Sequence, residues 1–100
     1  MITVKVTYGI KKAFVARNKE NIAAFMKDFK AMNSSAFEYS VYTLDDETTF
    51  VHISSYADEH IQKKILTTPS FVEFQKQRDE SGLIKPHHLE MLHHLAASNN

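Results

Sequence analysis

The sequence predicts a small α+β domain whose elements run strand, helix, strand, strand, helix, strand. Three observations carry that expectation. Residues 2–10 alternate, with Ile2, Val4, Val6 and Tyr8 on one side and Thr3, Lys5 and Thr7 on the other, as a strand with one apolar face does. From about Phe14 to Met32 the period changes to that of a helix, with Val15, Ile22, Phe25, Met26 and Phe29 on one stripe. Two later strand-like runs are separated only by Asp45-Asp46-Glu47-Thr48, which is short enough to close an antiparallel hairpin.

Each element has its own punctuation. Lys19, Glu20, Lys27, Asp28 and Lys30 fill the outer face of the first helix, and Asn33-Ser34-Ser35 ends it. The second strand is expected from about Phe37 to Leu44 and the third from Thr49 to Tyr56. Asp58 is a natural N-cap for a helix through Ile61, Ile65 and Leu66. Pro69 suits the first turn of a further helix carrying Phe71 and Phe74, and Gly82 is its natural stop. After Pro86, the run His87 to Ala97 reads as the last strand. Two such halves joined by right-handed crossovers give a ferredoxin-like βαββαβ fold, a four-stranded antiparallel sheet with helices on one face.

Composition narrows the function. A chain of 100 residues is room for one domain, residues 1–100, and two glycines and two prolines leave no flexible linker to divide it. Twelve basic and twelve acidic side chains cancel, which argues against a nucleic-acid partner and against attraction to an anionic membrane. No stretch approaches the length of a membrane span, and the alternating N-terminus lacks a signal-peptide core, so a cytoplasmic location is expected. Without cysteine there is no disulfide, thiol nucleophile or thiolate metal site. No phosphate-cradling glycine loop, nucleophile elbow or Ser-His-Asp pattern occurs, so nucleotide-dependent and hydrolytic chemistry have no support.

Helices can cover only one face of the sheet. Ile2, Val4, Val6, Val51, Ile53, Leu89, Met91 and Leu95 are the expected covered set. The other face would then carry Lys5, Thr7, Glu38, Ser40, Tyr42, Phe50, His52, Ser54, Tyr56, His88, Glu90, Leu92 and His94. Rings mixed with hydroxyls, imidazoles and carboxylates suit a face-to-face homodimer enclosing a partly polar cavity.

Phe14-Val15-Ala16 with Asn18, Leu44-Asp45-Asp46 with Thr49-Phe50-Val51-His52, and Pro69-Ser70-Phe71 with Phe74-Gln75 resemble the dimeric α/β-barrel proteins related to the antibiotic-biosynthesis monooxygenases. Nearly the whole chain is covered, and within that group the likeness is to a branch of uncharacterised bacterial proteins. The resemblance implies a dimeric α/β barrel with a ligand pocket between sheet and helices. It also implies a choice of activities, since some members oxidise aromatic quinols or polyketides with molecular oxygen and no cofactor, and others degrade heme. This chain departs from the heme-degrading branch, whose Asn-Trp-His set it lacks: it has no Trp, and Thr7 stands near the Asn position. Ile65 and Ser70 stand where many monooxygenase-like members carry histidine.

His52 is the candidate catalytic residue, a general base able to draw a proton from a phenolic substrate, the resulting anion being prone to react with oxygen. The plainer reading is a buried histidine hydrogen-bonded across the dimer. Tyr42, Phe50 and Tyr56 are candidate platforms for a flat aromatic ligand, with Ser54, His88 and Glu90 as its polar contacts, although aromatic side chains at a dimer interface are expected anyway. His52, His88 and Glu90 have the donor types for a divalent ion, but the first strand should separate them by about 9.6 Å, so no metal site is assigned. His87-His88 and His93-His94 point to opposite faces and cannot act as clusters. His60, Lys63-Lys64 and the run Lys76 to Glu80 read as solvated helix faces. The expectation is a small-molecule pocket protein resembling cofactor-independent monooxygenases on phenolic or quinol-type substrates, or else a non-catalytic ligand-binding or structural homodimer.

Overall fold

The structure, a computed structural model, describes residues 1–99. Its elements are β1 (Ile2–Gly9), α1 (Val15–Ala31), β2 (Phe37–Thr43), β3 (Thr49–Tyr56), α2 (Glu59–Leu66), α3 (Pro69–Glu80) and β4 (Lys85–Leu92). One turn of 3-10 helix, Lys12–Phe14, leads into α1. All strand pairs are antiparallel in the order β2-β3-β1-β4, and the helices lie on one face, so the fold is the expected ferredoxin-like one. No helix among the described residues is long and apolar enough to cross a membrane.

The punctuation acts as the residue types dictate. Asn33 adopts φ 45°, the left-handed conformation that stops a helix, and its N–H reaches the Lys30 carbonyl at 3.1 Å. Asp58 caps α2 by accepting from the Ile61 N–H at 2.9 Å. Pro69 opens α3, where its missing N–H costs nothing, and Gly82 ends it at φ 78°. In the β2–β3 turn the Asp46 carboxylate accepts from the Thr48 and Thr49 N–H groups at 3.0 and 2.8 Å and from the Thr49 hydroxyl at 2.6 Å.

The core is aromatic. Phe25 and Phe29 from α1 and Phe71 and Phe74 from α3 meet Tyr8, Phe50 and Tyr56 from the sheet. Phe25 sits at the centre, its ring 5.0 Å from that of Phe74 and 5.1 Å from those of Phe29 and Phe71. Most of these contacts are tilted or edge-on, the arrangement that brings ring edges onto ring faces.

Two expectations are corrected. On β3 it is Phe50, His52, Ser54 and Tyr56 that face the helices, while Val51 and Ile53 lie on the open face. The register decides this, because Tyr8, Val6 and Val4 of β1 oppose Phe50, His52 and Ser54, and opposed residues share a side. Thr49-Phe50-Val51-His52-Ile53 is apolar at both parities, so alternation alone could not choose. The large rings fill the space between sheet and helices. The last strand ends at Leu92 rather than Ala97, because Thr3↔Leu92 is the final rung that β1 offers. His94 and Leu95 therefore lie beyond the sheet, and Leu95, expected to be covered, is 96% exposed.

Candidate functional site

The helices do not reach across the whole sheet. Leu89 and Met91 of β4 point to the helix side, as expected, yet both remain more than half exposed. Between Leu89 and the helices lies a groove of about 140 Å³. Its floor is Val4, Val6 and His52, Tyr39 forms part of its sheet wall, and Gln75 and Arg78 of α3 form part of the facing wall. A larger hollow of about 430 Å³ lies between the start of α1 and the β2–β3 turn. It is lined by exposed Lys12, Lys19, Asp46 and Glu47 and by no buried polar side chain, so it is a surface depression.

The groove meets a line of buried polar groups. His52 is 3% exposed. Its Nε2 lies 2.8 Å from the Tyr8 hydroxyl and its Nδ1 lies 2.9 Å from the Tyr39 hydroxyl. The Asn18 side-chain N–H donates to the same Tyr8 oxygen at 2.9 Å. Burial first, and the positive charge of Arg78 second, push the His52 imidazolium down to about pKa 3, so the ring is neutral and carries a single N–H.

That single proton orders the line. The Tyr8 oxygen already accepts from Asn18, so its own proton needs an acceptor, and His52 Nε2 is the one in reach. The ring N–H is then on Nδ1 and donates to the Tyr39 oxygen. Tyr39 is left with a hydroxyl proton facing the groove. The Asn18 carbonyl oxygen is the one fully buried side-chain polar atom among the described residues without a partner. The opposite amide orientation would strand two N–H donors instead, a worse outcome. Burial raises both tyrosines well above the ordinary phenol value; at Tyr39 the neighbouring Tyr56 and Tyr8 add to the rise, and at Tyr8 the Asn18 bond only partly offsets it.

Arg78 completes the wall. It is 7% exposed, with its guanidinium 5.3 Å from the Tyr8 ring centre and 5.5 Å from that of Phe74, in cation–π contact with both. Its Nε donates to Asp79 at 3.0 Å.

The sequence-predicted site residues are thus divided between two faces. His52, Ser54 and Tyr56 line the groove, on the helix-covered side rather than the open one. Phe50 is on the same side but is packed in the core, stacked on Tyr8 at 5.6 Å. Tyr42, His88 and Glu90 lie on the open face, separated from His52 by the sheet itself. His88 Nε2 and Glu90 Oε1 are 4.0 Å apart and largely solvated, and no group of three metal-donor side chains comes together among the described residues. Asn18, Tyr8, Tyr39 and Arg78 were not foreseen, and Arg78, read as part of a solvated run, is buried. Spacing held the signal for two of them. Asn18 continues the stripe Ile22, Phe25, Phe29, and Arg78 continues Phe71, Phe74.

No family model and no curated protein matches the sequence. Solved structures do match the fold. An antibiotic biosynthesis monooxygenase superposes with a TM-score of 0.79 at 12% identity, over 96% of this chain and 100% of that one. A protein from Mycobacterium tuberculosis superposes with a TM-score of 0.78 at 15% identity, over 98% of each chain. SnoaB, a cofactor-independent oxygenase from Streptomyces nogalater, in a mutant form, superposes with a TM-score of 0.73 at 13% identity, over 99% of this chain and 97% of that one. At these identities the likeness is one of fold, and the fold is that of the antibiotic-biosynthesis-monooxygenase-like proteins.

Proposed function

We propose that the chain is a small-molecule pocket protein whose groove takes a phenolic or quinol-type substrate for oxygenation by molecular oxygen without a cofactor. The observation that carries the reading is the line Asn18–Tyr8–His52–Tyr39, buried as far as His52, which ends on a half-buried hydroxyl at a groove floored by Val4, Val6 and His52. The named oxygenases among the structural neighbours support it.

In this reading the Tyr39 hydroxyl keeps its proton and donates a hydrogen bond to the substrate oxygen, stabilising the phenolate that forms there, and the charge of Arg78 acts in the same sense. Oxygen adds to the ring carbon of that anion, the peroxide takes up a proton, and water leaves. One oxygen atom ends as a new carbonyl and the other in water, so a phenol with a free para position gives the quinone. In this reading His52 does not serve as the base. Both ring nitrogens are occupied and its imidazolium is disfavoured, so it is the residue that fixes the Tyr39 hydroxyl. The substrate proton passes to water at the mouth of the groove.

The doubly bonded His52, a fixed structural connector, equally favours a second reading, in which the protein is non-catalytic, a ligand-binding or structural homodimer. Oxygen uptake with a panel of simple phenols and quinols separates the two. Uptake above autoxidation, lowered about tenfold or more by Tyr39→Phe, supports the oxygenase. A panel without uptake above the buffer control sinks it and leaves a binding protein.

A further inference from the structure

Of the side chains lining the groove among the described residues, Arg78 is the only one with a permanent charge, and no carboxylate shares the lining. Its side chain is 8% exposed. Asp79 engages Nε, but Nη1 and Nη2 meet no acceptor among the described residues. A guanidinium has five donors and cannot shed its proton, so two N–H₂ groups left without protein partners in a buried wall are an open anion receptor. Tyr8 and Phe74, whose rings contact each other, both touch the guanidinium from one side, which reduces the rotamer freedom that binding would otherwise have to freeze.

We propose that the groove is selective for an anionic ligand, a single-ring aromatic acid whose carboxylate sits on Nη1 and Nη2 of Arg78 and whose ring hydroxyl meets Tyr39. Size sets the single ring: a cavity of about 140 Å³ is close to the roughly 150 Å³ that accommodates benzene. Charge sets the acid, because a carboxylate matches the planar fork with two parallel hydrogen bonds and neutralises a cation that Asp79, itself 57% exposed, only partly balances. Gln62, Gln75 and Ser54 supply further neutral donors and acceptors around the same space. This rests on the pocket of the proposed function and adds the class of substrate it would take.

The test is calorimetric titration of the wild-type protein with 2,5-dihydroxybenzoate and with 2,5-dihydroxybenzamide, a pair that differs in charge and hardly in shape. The acid should bind at least about tenfold more tightly than the amide, the usual worth of a charge-assisted pair. Arg78→Gln should abolish the preference, bringing the acid and the amide to within about threefold of each other. Equal affinity for the pair, tighter binding of the amide, or binding of neither overturns the proposal on the wild-type protein alone, whether or not the variant folds. Tight binding of the acid, with no oxygen uptake from any member of the phenol and quinol panel, upholds this receptor while overturning the oxygenase reading. Oxygen uptake with an uncharged quinol and no preference for the acid does the reverse.

Discussion

The Nδ1 atom of His52 and the hydroxyl of Tyr39 lie 2.9 Å apart, and the second nitrogen of the same ring is held by Tyr8. The imidazole therefore bridges a buried phenol, Tyr8, and a half-buried one, Tyr39, on the two neighbouring strands β1 and β2. A charged ring there would face Arg78 without a counter-ion. This relationship turns a titratable side chain into a fixed, neutral connector.

The first prediction is a pH dependence of stability owed to His52. Its pKa is about 3 folded, against an ordinary 6.5. Between those values the unfolded chain binds the proton and the folded one does not, so stability rises with pH across that window and is fully present above 6.5. The slope is about 1.4 kcal/mol per pH unit, and about 2 kcal/mol separates pH 5 from pH 7. Urea unfolding at the two pH values measures it. His52→Gln, which keeps an amide between the two phenols, should flatten the difference. An unchanged slope in that variant would show that the dependence comes from elsewhere.

How much of this was legible in the sequence depends on the kind of signal. Alternation, helical period and the caps at Asp58, Pro69 and Gly82 are local, and they gave the order of elements and the ends of the helices. The side to which β3 points is not local. Phe50 and Tyr56 compete with Val51 and Ile53 for the covered face, and only pairing with Val4, Val6 and Tyr8 resolves the contest. His52 was found because a mid-strand histidine stands out, but its partners were not, since Tyr8 and Tyr39 read as ordinary strand aromatics. Arg78 was lost because a charge inside Lys76 to Glu80 looks solvated until its spacing from Phe71 and Phe74 is counted. Tyr42, His88 and Glu90 were grouped with His52 by the same parity error.

Phe25 should be the most sensitive core position. Its side chain is fully buried and its ring touches those of Phe29, Tyr39, Phe71 and Phe74. Phe25→Ala removes the ring that both helices and β2 share, and is expected to cost about 3–5 kcal/mol in urea unfolding. Because Tyr39 loses a wall as well, ligand affinity should fall in the same variant. A loss below about 1 kcal/mol would mean that the helices collapse into the gap, contrary to the close packing described.

Gly9 is required by close approach rather than by an unusual backbone angle. A Cβ there would lie 2.9 Å from Cβ and Cγ of Lys85, where β4 carries one extra residue opposite Tyr8. Gly9→Ala must push the start of β4 away, endangering the Ile84 N–H to Gly9 carbonyl bond at 3.0 Å and the Lys85 to Thr49 bond at 3.0 Å. The expected cost is about 1–3 kcal/mol. Lys85→Gly in the same chain removes the clashing atoms, so the double variant should be more stable than the sum of the two single losses. Simple additivity of the two would place the strain somewhere else.

The proposed homodimer gives the last prediction. On the open face Ile53 is half-buried beside Val51, while Tyr42 and Leu92 are 56% and 37% exposed, and on the row of Ile53 itself Lys5 stands between Ile53 and Glu90. A second sheet laid on this face would cover the apolar strip along β3 together with Lys5 of the adjoining β1, whose charge Glu90 of β4 opposes. Ile53→Glu places a carboxylate in that strip directly opposite Lys5, where covering the pair strips both charges of water, yet it faces away from the groove. Sedimentation at micromolar concentration should find a wild-type dimer and a folded Ile53→Glu monomer that still binds ligand. If the wild type sediments as a monomer, the open face is not an interface and its apolar residues are simply solvated. If the variant remains a dimer, the contact lies elsewhere, and the exposed Leu89 and Met91 of β4 are the next surface to substitute.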